Sequence, residues 1–164
     1  MATDKQQDIL RIAQQEQKLQ FETFDKASAW ELGQRLKVTC EKAAVATTIE
    51  IRLARETVFL YAMPGTAASN TDWARRKRNV VELMGKSSYA VGLSCEEEGQ
   101  SLEALMGLPT REYACHGGSF PIKVKGAGCV GVVTVSGLPQ REDHIIVVQV
   151  LAQMCGIDPS EVEL

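Results

Sequence analysis

The chain lacks a long apolar run, an excess of basic charge and an apolar N-terminal leader. No apolar run reaches the roughly 18 residues that a transmembrane helix needs, and the opening MATDKQQD is polar. The net charge is −3, which does not favour a broad nucleic-acid-binding surface. We therefore expect a cytoplasmic protein with no membrane span, no secretory signal and no nucleic-acid partner.

Motifs for metal binding and catalysis are also missing. The five cysteines are widely spaced and include no CxxC or CxxCH, so neither a zinc site nor c-type haem attachment is predicted. HExxH, P-loop, GxSxG and post-strand GxGxxG patterns do not occur. We predict no metal ligand and no catalytic residue, and we expect the cysteines to serve mostly as small apolar residues in a reducing compartment.

The hydrophobic pattern predicts one α+β domain over residues 1–164, with 45% apolar and 24% charged residues. Helical periodicity is typical of four segments, and strand alternation of two hairpins. The resulting order predicts one antiparallel sheet with helices packed on it. The predicted segments are helix 3–18, strand 19–21, helix 25–44, hairpin 47–63, helix 71–85, a helical region 86–114, hairpin 120–135 and a last helix from about 139 to 155.

Four adjacent basic residues lie in the predicted helix 71–85, which Asn70 or Thr71 would cap. Each residue rotates about 100° around a helix, so the four cannot share one face. We expect Arg76 and Lys77 to flank the apolar stripe and to be partly covered. Arg75, Arg78 and Glu82 are expected to point away from it.

The covered pair Arg76 and Lys77 has two interpretations. The two side chains could meet an anionic group of a ligand. Alternatively they extend along the edge of the core, or form an ion pair with Glu142 or Asp143 at the start of the last helix.

Glycine is concentrated between Cys115 and His144, a segment bounded by the only two histidines. Glycine is used where backbone needs a positive φ or approaches something closely. Gly117 and Gly118, with Gly131 as a weaker candidate, would bring backbone N–H groups to a ligand, and His116 could bind iron or transfer protons. The alternative is a tight turn before a strand with an ordinary histidine.

Two further arrangements in this segment are considered. Cys115 and His116 are adjacent in extended backbone and should point to opposite sides, so they are a poor metal pair. Residues 136–140 enter the last helix and offer N–H groups to an anion, but Glu142 and Asp143 already complement the helix dipole. The predicted cofactor-binding residues are Arg76, Lys77, His116, Gly117, Gly118 and Asp143.

Several motifs together resemble the GlcG/HbpS-like superfamily, often called the haem-degrading domain. GGSFPIKVKGAGCVGVVTVSGLPQREDH (117–144) resembles its GGxPI…G…GxxGVSG…QDE signature, and Ala74 to Lys77 resembles its AxxK helix. WARRKRN (73–79), SSYAVGL (87–93) and SGLPQREDH (136–144) are more similar to one uncharacterised family within it, found in bacteria and fungi. The resemblance covers about residues 5–155.

The resemblance implies a profilin-like α/β fold with a central antiparallel sheet, assembled as a ring-like homo-oligomer. Some members bind haem or sit beside cobalamin-processing domains. Two departures from the common pattern make the site more charged. Arg141 to His144 replace the usual Gln-Asp-Glu run, and Arg78 stands where alanine is common.

Three functional hypotheses follow. The first is a non-enzymatic oligomeric protein that binds a small anionic ligand, such as haem or another tetrapyrrole or metabolite. The second is an enzyme that uses His116 with Asp143 or His144 as acid–base groups. The third is a scaffold whose assembly is its function.

Overall fold

The fold combines six α-helices with a five-stranded sheet in a computed structural model that describes residues 2–164. This confirms the predicted α/β class. Within those residues no helix is long and apolar enough to cross a membrane. The elements are α1 (Asp4–Lys18), β1 (Gln20–Phe21), α2 (Lys26–Lys42), β2 (Thr48–Leu53), β3 (Glu56–Ala62), α3 (Ala68–Met84), α4 (Ser88–Glu98), α5 (Leu102–Met106), β4 (Ser119–Val124), β5 (Gly128–Ser136), α6 (Gln140–Cys155) and a 3-10 turn (Pro159–Val162).

The strands lie in the order β1-β4-β5-β2-β3, with both predicted hairpins formed. The expectation of a wholly antiparallel sheet is wrong at one edge, because β1 pairs with β4 in parallel, with Gln20 opposite Lys123. No tight turn joins these two strands, which are far apart in the chain, so nothing forces them to run in opposite directions.

One face of the sheet is apolar and carries the main core. Ile49 and Ile51 are fully buried there, and α2 and α6 pack above them. Burial of aliphatic side chains contributes about 1.5–3 kcal/mol each, so this face supplies most of the stability. Trp30 of α2 is 60% exposed, and its ring meets the Phe59 ring edge-on at the margin of this core.

The opposite face of the sheet is polar, and α3 covers it through ion pairs. Arg78 Nε lies 3.0 Å from Glu50 Oε1, and Arg52 Nε lies 2.9 Å from Glu82 Oε1. The expectation that Arg78 and Glu82 point away is therefore wrong. β2 alternates Glu50 and Arg52 toward this face, and α3 supplies the opposite charges. Arg75 does remain at the surface.

Helix α3 begins three residues before the predicted start. Ala67 is the N-cap, and Asn70 lies inside the first turn rather than at the cap. The Asn70 side-chain oxygen accepts a hydrogen bond from the Ala67 N–H at 2.9 Å, so it satisfies one of the unpaired donors of the helix start. Asn70 was predicted as a possible N-cap, but it occupies the third position of the helix.

The two ends of the chain meet at a buried histidine. His144 Nε2 lies 2.7 Å from Gln15 Oε1, and Gln15 Nε2 donates to the Val162 carbonyl at 2.6 Å. The Gln15 oxygen is thus the acceptor, so Nε2 of His144 carries the proton. The other ring nitrogen, Nδ1, is buried and has no hydrogen-bond partner among residues 2–164.

This histidine should make the protein less stable in mild acid. Burial lowers the pKa of His144 from 6.5 to about 3. Below pH 6.5 His144 is protonated in the unfolded chain but stays neutral in the folded chain. The free energy of unfolding therefore falls by about 1.4 kcal/mol per pH unit down to about pH 3. Urea unfolding of the wild type and of His144→Phe at several pH values measures this slope.

The comparison isolates His144 because every other titrating group is common to both proteins. His144→Phe is expected to start less stable at neutral pH, having lost the bond to Gln15, and to lose less stability on acidification. Parallel pH dependence in the two proteins would contradict the account.

Candidate functional site

A pocket of about 290 Å³ opens where β5 turns into α6, beneath the N-terminal half of α3. The pocket is formed by α3, which carries the basic residues, and by the glycine-rich segment between Cys115 and His144. A larger groove of about 620 Å³ lies on the outer face of α2, around Trp30 and Val38, and contains none of the predicted site residues. The smaller pocket is lined by Asn70, Trp73, Lys77, His116, Ser136, Gly137, Leu138, Gln140 and Asp143.

An ion pair between Lys77 and Asp143 forms the floor of this pocket. Lys77 Nζ lies 2.9 Å from Asp143 Oδ2, and the two residues are 4% and 0% exposed. The predicted pairing of the covered lysine with the start of the last helix is confirmed, with Asp143 rather than Glu142 as the partner. Lys77 also donates to the Val135 carbonyl at 3.4 Å.

Asp143 is held from the other side by backbone. Its Oδ1 accepts from the Leu138 N–H at 3.0 Å, and its Oδ2 accepts from the Gly137 N–H at 3.3 Å. Burial raises the pKa of Asp143, while Lys77 and the two N–H groups oppose that rise. Burial likewise lowers the pKa of Lys77, against the attraction of Asp143. Three donors around one carboxylate favour the ionised pair.

The two predicted site glycines serve packing beneath the pocket. A Cβ on Gly118, whose φ is +130°, would lie 2.3 Å from the Val135 carbonyl oxygen and 3.1 Å from Lys77 Nζ. A Cβ on Gly117 would lie 2.3 Å from the Gln140 carbonyl oxygen. The Gly117 N–H donates to the Gln140 side chain at 3.2 Å, so the expectation that it is free for a ligand is wrong.

His116 lies at the mouth of the pocket. Its ring meets the Trp73 ring edge-on, with centroids 5.0 Å apart. Burial lowers the pKa of His116, and the charges of Lys77 and Arg76 lower it further. The imidazole is therefore neutral at pH 7, with one nitrogen free to accept a proton or bind a metal.

Arg76, the remaining predicted residue of the pair, does not line the pocket. Its guanidinium lies 4.4 Å above the Trp73 ring and donates to the Thr110 carbonyl at 2.6 Å. Asn79 donates to the Glu112 carbonyl at 2.8 Å from the same helix. Helix α3 thus holds residues 110–112, which lead into His116, in place. Arg76 therefore positions His116 without lining the pocket.

Two other expectations fail because the residues are needed for packing. His144 is buried between Tyr89 and Phe120, away from the pocket lining. Gly131 is needed by the sheet, since a Cβ there would lie 2.2 Å from the Arg52 carbonyl oxygen. Both residues therefore belong to packing rather than to the candidate site.

Metal ligation by neighbouring side chains gains no support. Within residues 2–164 no group of three or more His, Cys, Asp or Glu side chains could hold a metal ion. Burial raises the pKa of Cys115 to about 12, and this thiol faces Cys95 while His116 faces Trp73. The two adjacent side chains diverge, as extended backbone requires.

Six residues of the pocket lining are not among the predicted site residues: Asn70, Trp73, Ser136, Gly137, Leu138 and Gln140. Residues 136–140 were considered only as the start of the last helix, and Asn70 only as a helix cap. The side-chain oxygens of Asn70 and Gln140 both satisfy backbone N–H groups, a use that depends on contacts between distant segments.

Comparison with known proteins places this geometry in a family. The family model described as "Haem degrading protein HbpS-like" matches residues 24–152. The chain belongs to the HbpS-like family. It is 56% identical over 147 residues to a "UPF0303 protein" of Azotobacter vinelandii, covering 90% of this chain and 89% of that one. It is 51% identical to "UPF0303 protein R02983" of Rhizobium meliloti, covering 96% of each.

Solved structures share the fold of this HbpS-like chain. The Ybr137w protein aligns with a TM-score of 0.83 and 25% identity, over 90% of this chain and 87% of that one. The PduOC:Heme complex aligns with a TM-score of 0.69 and 16% identity, over 79% and 94%. The similarity to the second structure shows a shared fold alone, and the haem belongs to that complex.

Removing one partner of the Lys77–Asp143 pair should lower the free energy of unfolding by more than the attraction between the two charges contributes. Lys77→Met leaves a buried carboxylate without its cation, so we expect a loss of about 3–5 kcal/mol in the free energy of unfolding. Asp143→Asn should also destabilise. The double variant removes both charges and should recover much of the loss, which urea unfolding of all four proteins measures.

Arg75→Met is the matched control, because it removes a charge from the same helix at the surface. It should cost less than about 1 kcal/mol. Additive losses in Lys77→Met and Asp143→Asn would contradict the buried pair.

Proposed function

We propose that this HbpS-like protein is a non-enzymatic cytoplasmic protein that binds a small anionic ligand at the Lys77–His116 pocket, with haem as the leading candidate. The observation that carries the proposal is the combination of a buried cation at the floor with a neutral imidazole at the mouth. The family match and the haem complex among the solved relatives support haem. No nucleic-acid partner is proposed.

The residues present fit haem at the mouth of the pocket rather than inside it. His116 is exposed, and its neutral ring would be able to bind the iron. A volume of about 290 Å³ equals roughly ten waters, which is too little for a whole porphyrin. His116 would hold the iron, and the Lys77 side of the pocket would face a propionate. Haem would supply the redox and gas-binding chemistry of its iron.

Acid–base catalysis is less well supported. Asp143 is fully buried, and its two oxygens already accept from Lys77 and two backbone N–H groups. His144 is buried and does not line the pocket with His116. A general base must reach a proton on the substrate, and neither side chain is placed to do so.

Haem titration tests the proposed ligand. Micromolar haem added to the purified protein should shift the Soret band with saturation near one haem per chain. His116→Ala should abolish the shift or weaken binding at least about tenfold, since one axial bond is lost. Absorbance spectroscopy in the oxidised and reduced states measures both effects.

His144→Phe is the matched control, because it removes the other histidine from the buried side of α6. It should leave the Soret shift unchanged. A shift that survives His116→Ala, or no shift in the wild type, would refute haem ligation by His116.

We also propose self-assembly, in line with the ring-like homo-oligomer that the family resemblance implies. Leu60 and Leu83 are 53% and 48% exposed, on β3 and α3 respectively. Leu60 lies opposite Glu50 in the strand register, on the face that α3 occupies. A contact between subunits that covers these side chains would remove their apolar surface from water.

Leu60→Asp should lower the mass measured by light scattering if this surface joins subunits, because a charge would be buried in the contact. Leu105→Asp changes a comparably exposed leucine on α5 and should leave the mass unchanged. A monomeric wild type would contradict the assembly proposal.

A further inference from the structure

We propose that the interior of the pocket is a recognition site for the carboxylate of a small, flat organic acid. This inference rests on the proposed binding function and names its ligand class. The polar atoms that already have partners in the protein, and those that do not, decide which ligand the pocket can bind.

Two side-chain amides in the pocket lining use their oxygens on backbone and leave their NH₂ groups over. Asn70 Oδ1 accepts from the Ala67 N–H at 2.9 Å, and Gln140 Oε1 accepts from the Gly117 N–H at 3.2 Å. A backbone N–H can only donate, so both amide orientations are fixed by their partners. The groups left for a ligand are the two NH₂ groups, which bind acceptors.

The floor of the pocket adds a third donor. Lys77 uses one N–H on Asp143 and one, at 3.4 Å, on the Val135 carbonyl. An ammonium has three, so one remains. The oxygens of Asp143 are occupied by Lys77 and by the N–H groups of Gly137 and Leu138, which leaves the carboxylate little capacity to attract a cationic ligand.

Size and shape restrict the acid further. About 290 Å³ holds roughly ten water-sized groups, so about ten non-hydrogen atoms of the acid fit inside the pocket. Trp73 and His116 form an aromatic flank at the mouth, which suits a planar body next to the carboxylate. Since Lys77 shares its charge with Asp143, a single negative charge matches the site better than several.

Benzoate is a suitable probe, with benzamide as its neutral analogue. The Trp30→Phe background leaves Trp73 as the only tryptophan, so its fluorescence reports on the pocket. Benzoate should give a saturable change, and benzamide should bind at least about tenfold more weakly because it lacks the charge. Equal binding of the two probes would overturn the carboxylate assignment.

Two variants remove single donors while keeping the local fold. Asn70→Asp and Gln140→Glu retain the oxygen that accepts from Ala67 or Gly117 and replace NH₂ with a second oxygen. Each should weaken benzoate binding at least about tenfold. Gln34→Glu makes the same change on the outer face of α2 and should leave the affinity unchanged. Unchanged affinity in both pocket variants would overturn the inference.

Failure of this inference can be told apart from failure of the haem proposal. A Soret shift without any saturable Trp73 change up to about 10 mM benzoate would overturn the carboxylate site and leave haem binding standing. Benzoate binding without a Soret shift would do the reverse. If both bind, competition identifies the source of the carboxylate. Benzoate that weakens haem binding would indicate that a propionate of haem binds to these donors. Independent binding of the two would indicate a free acid.

Discussion

The buried contact between Lys77 and Asp143 is the constraint on which the site depends. A charge removed from water is tolerated only when its partner and further donors are held in place. Asp143 meets that condition through Lys77 and the N–H groups of Gly137 and Leu138. One carboxylate therefore joins α3, the end of β5 and the start of α6. Gly118 lies directly beneath this contact, where a Cβ would be 2.3 Å from the Val135 carbonyl oxygen and 3.1 Å from Lys77 Nζ.

The charged layer beneath α3 extends this constraint along the helix. Arg78 with Glu50, and Arg52 with Glu82, attach α3 to the polar face of the sheet, while the apolar face carries the main core. Ion pairs have a narrower geometry than hydrophobic contacts, so they set the position of α3 on the sheet. The pocket residues at the N-terminal half of α3 are placed by this register. Stability and site geometry thus come from opposite faces of one sheet.

Local signals in the sequence were enough for most of the fold. Residues 136–140 mark the start of α6, and strand alternation predicts both hairpins. What failed required knowledge of the facing surface. Arg78 was expected to point away because helix periodicity does not show that β2 presents Glu50 opposite it. The site was predicted in part, since Lys77, His116 and Asp143 do line one pocket. Its amide donors depend on long-range contacts that no motif encodes.

We propose that the pocket between Lys77 and His116 holds the ligand. The most direct test is a high-resolution crystal structure of the protein purified without any step that strips bound molecules. The account predicts electron density for an organic ligand in this pocket, with an acidic group against Lys77 and the side-chain amides. A ligand bound in the groove beside Trp30, with only water between Lys77 and His116, would contradict it.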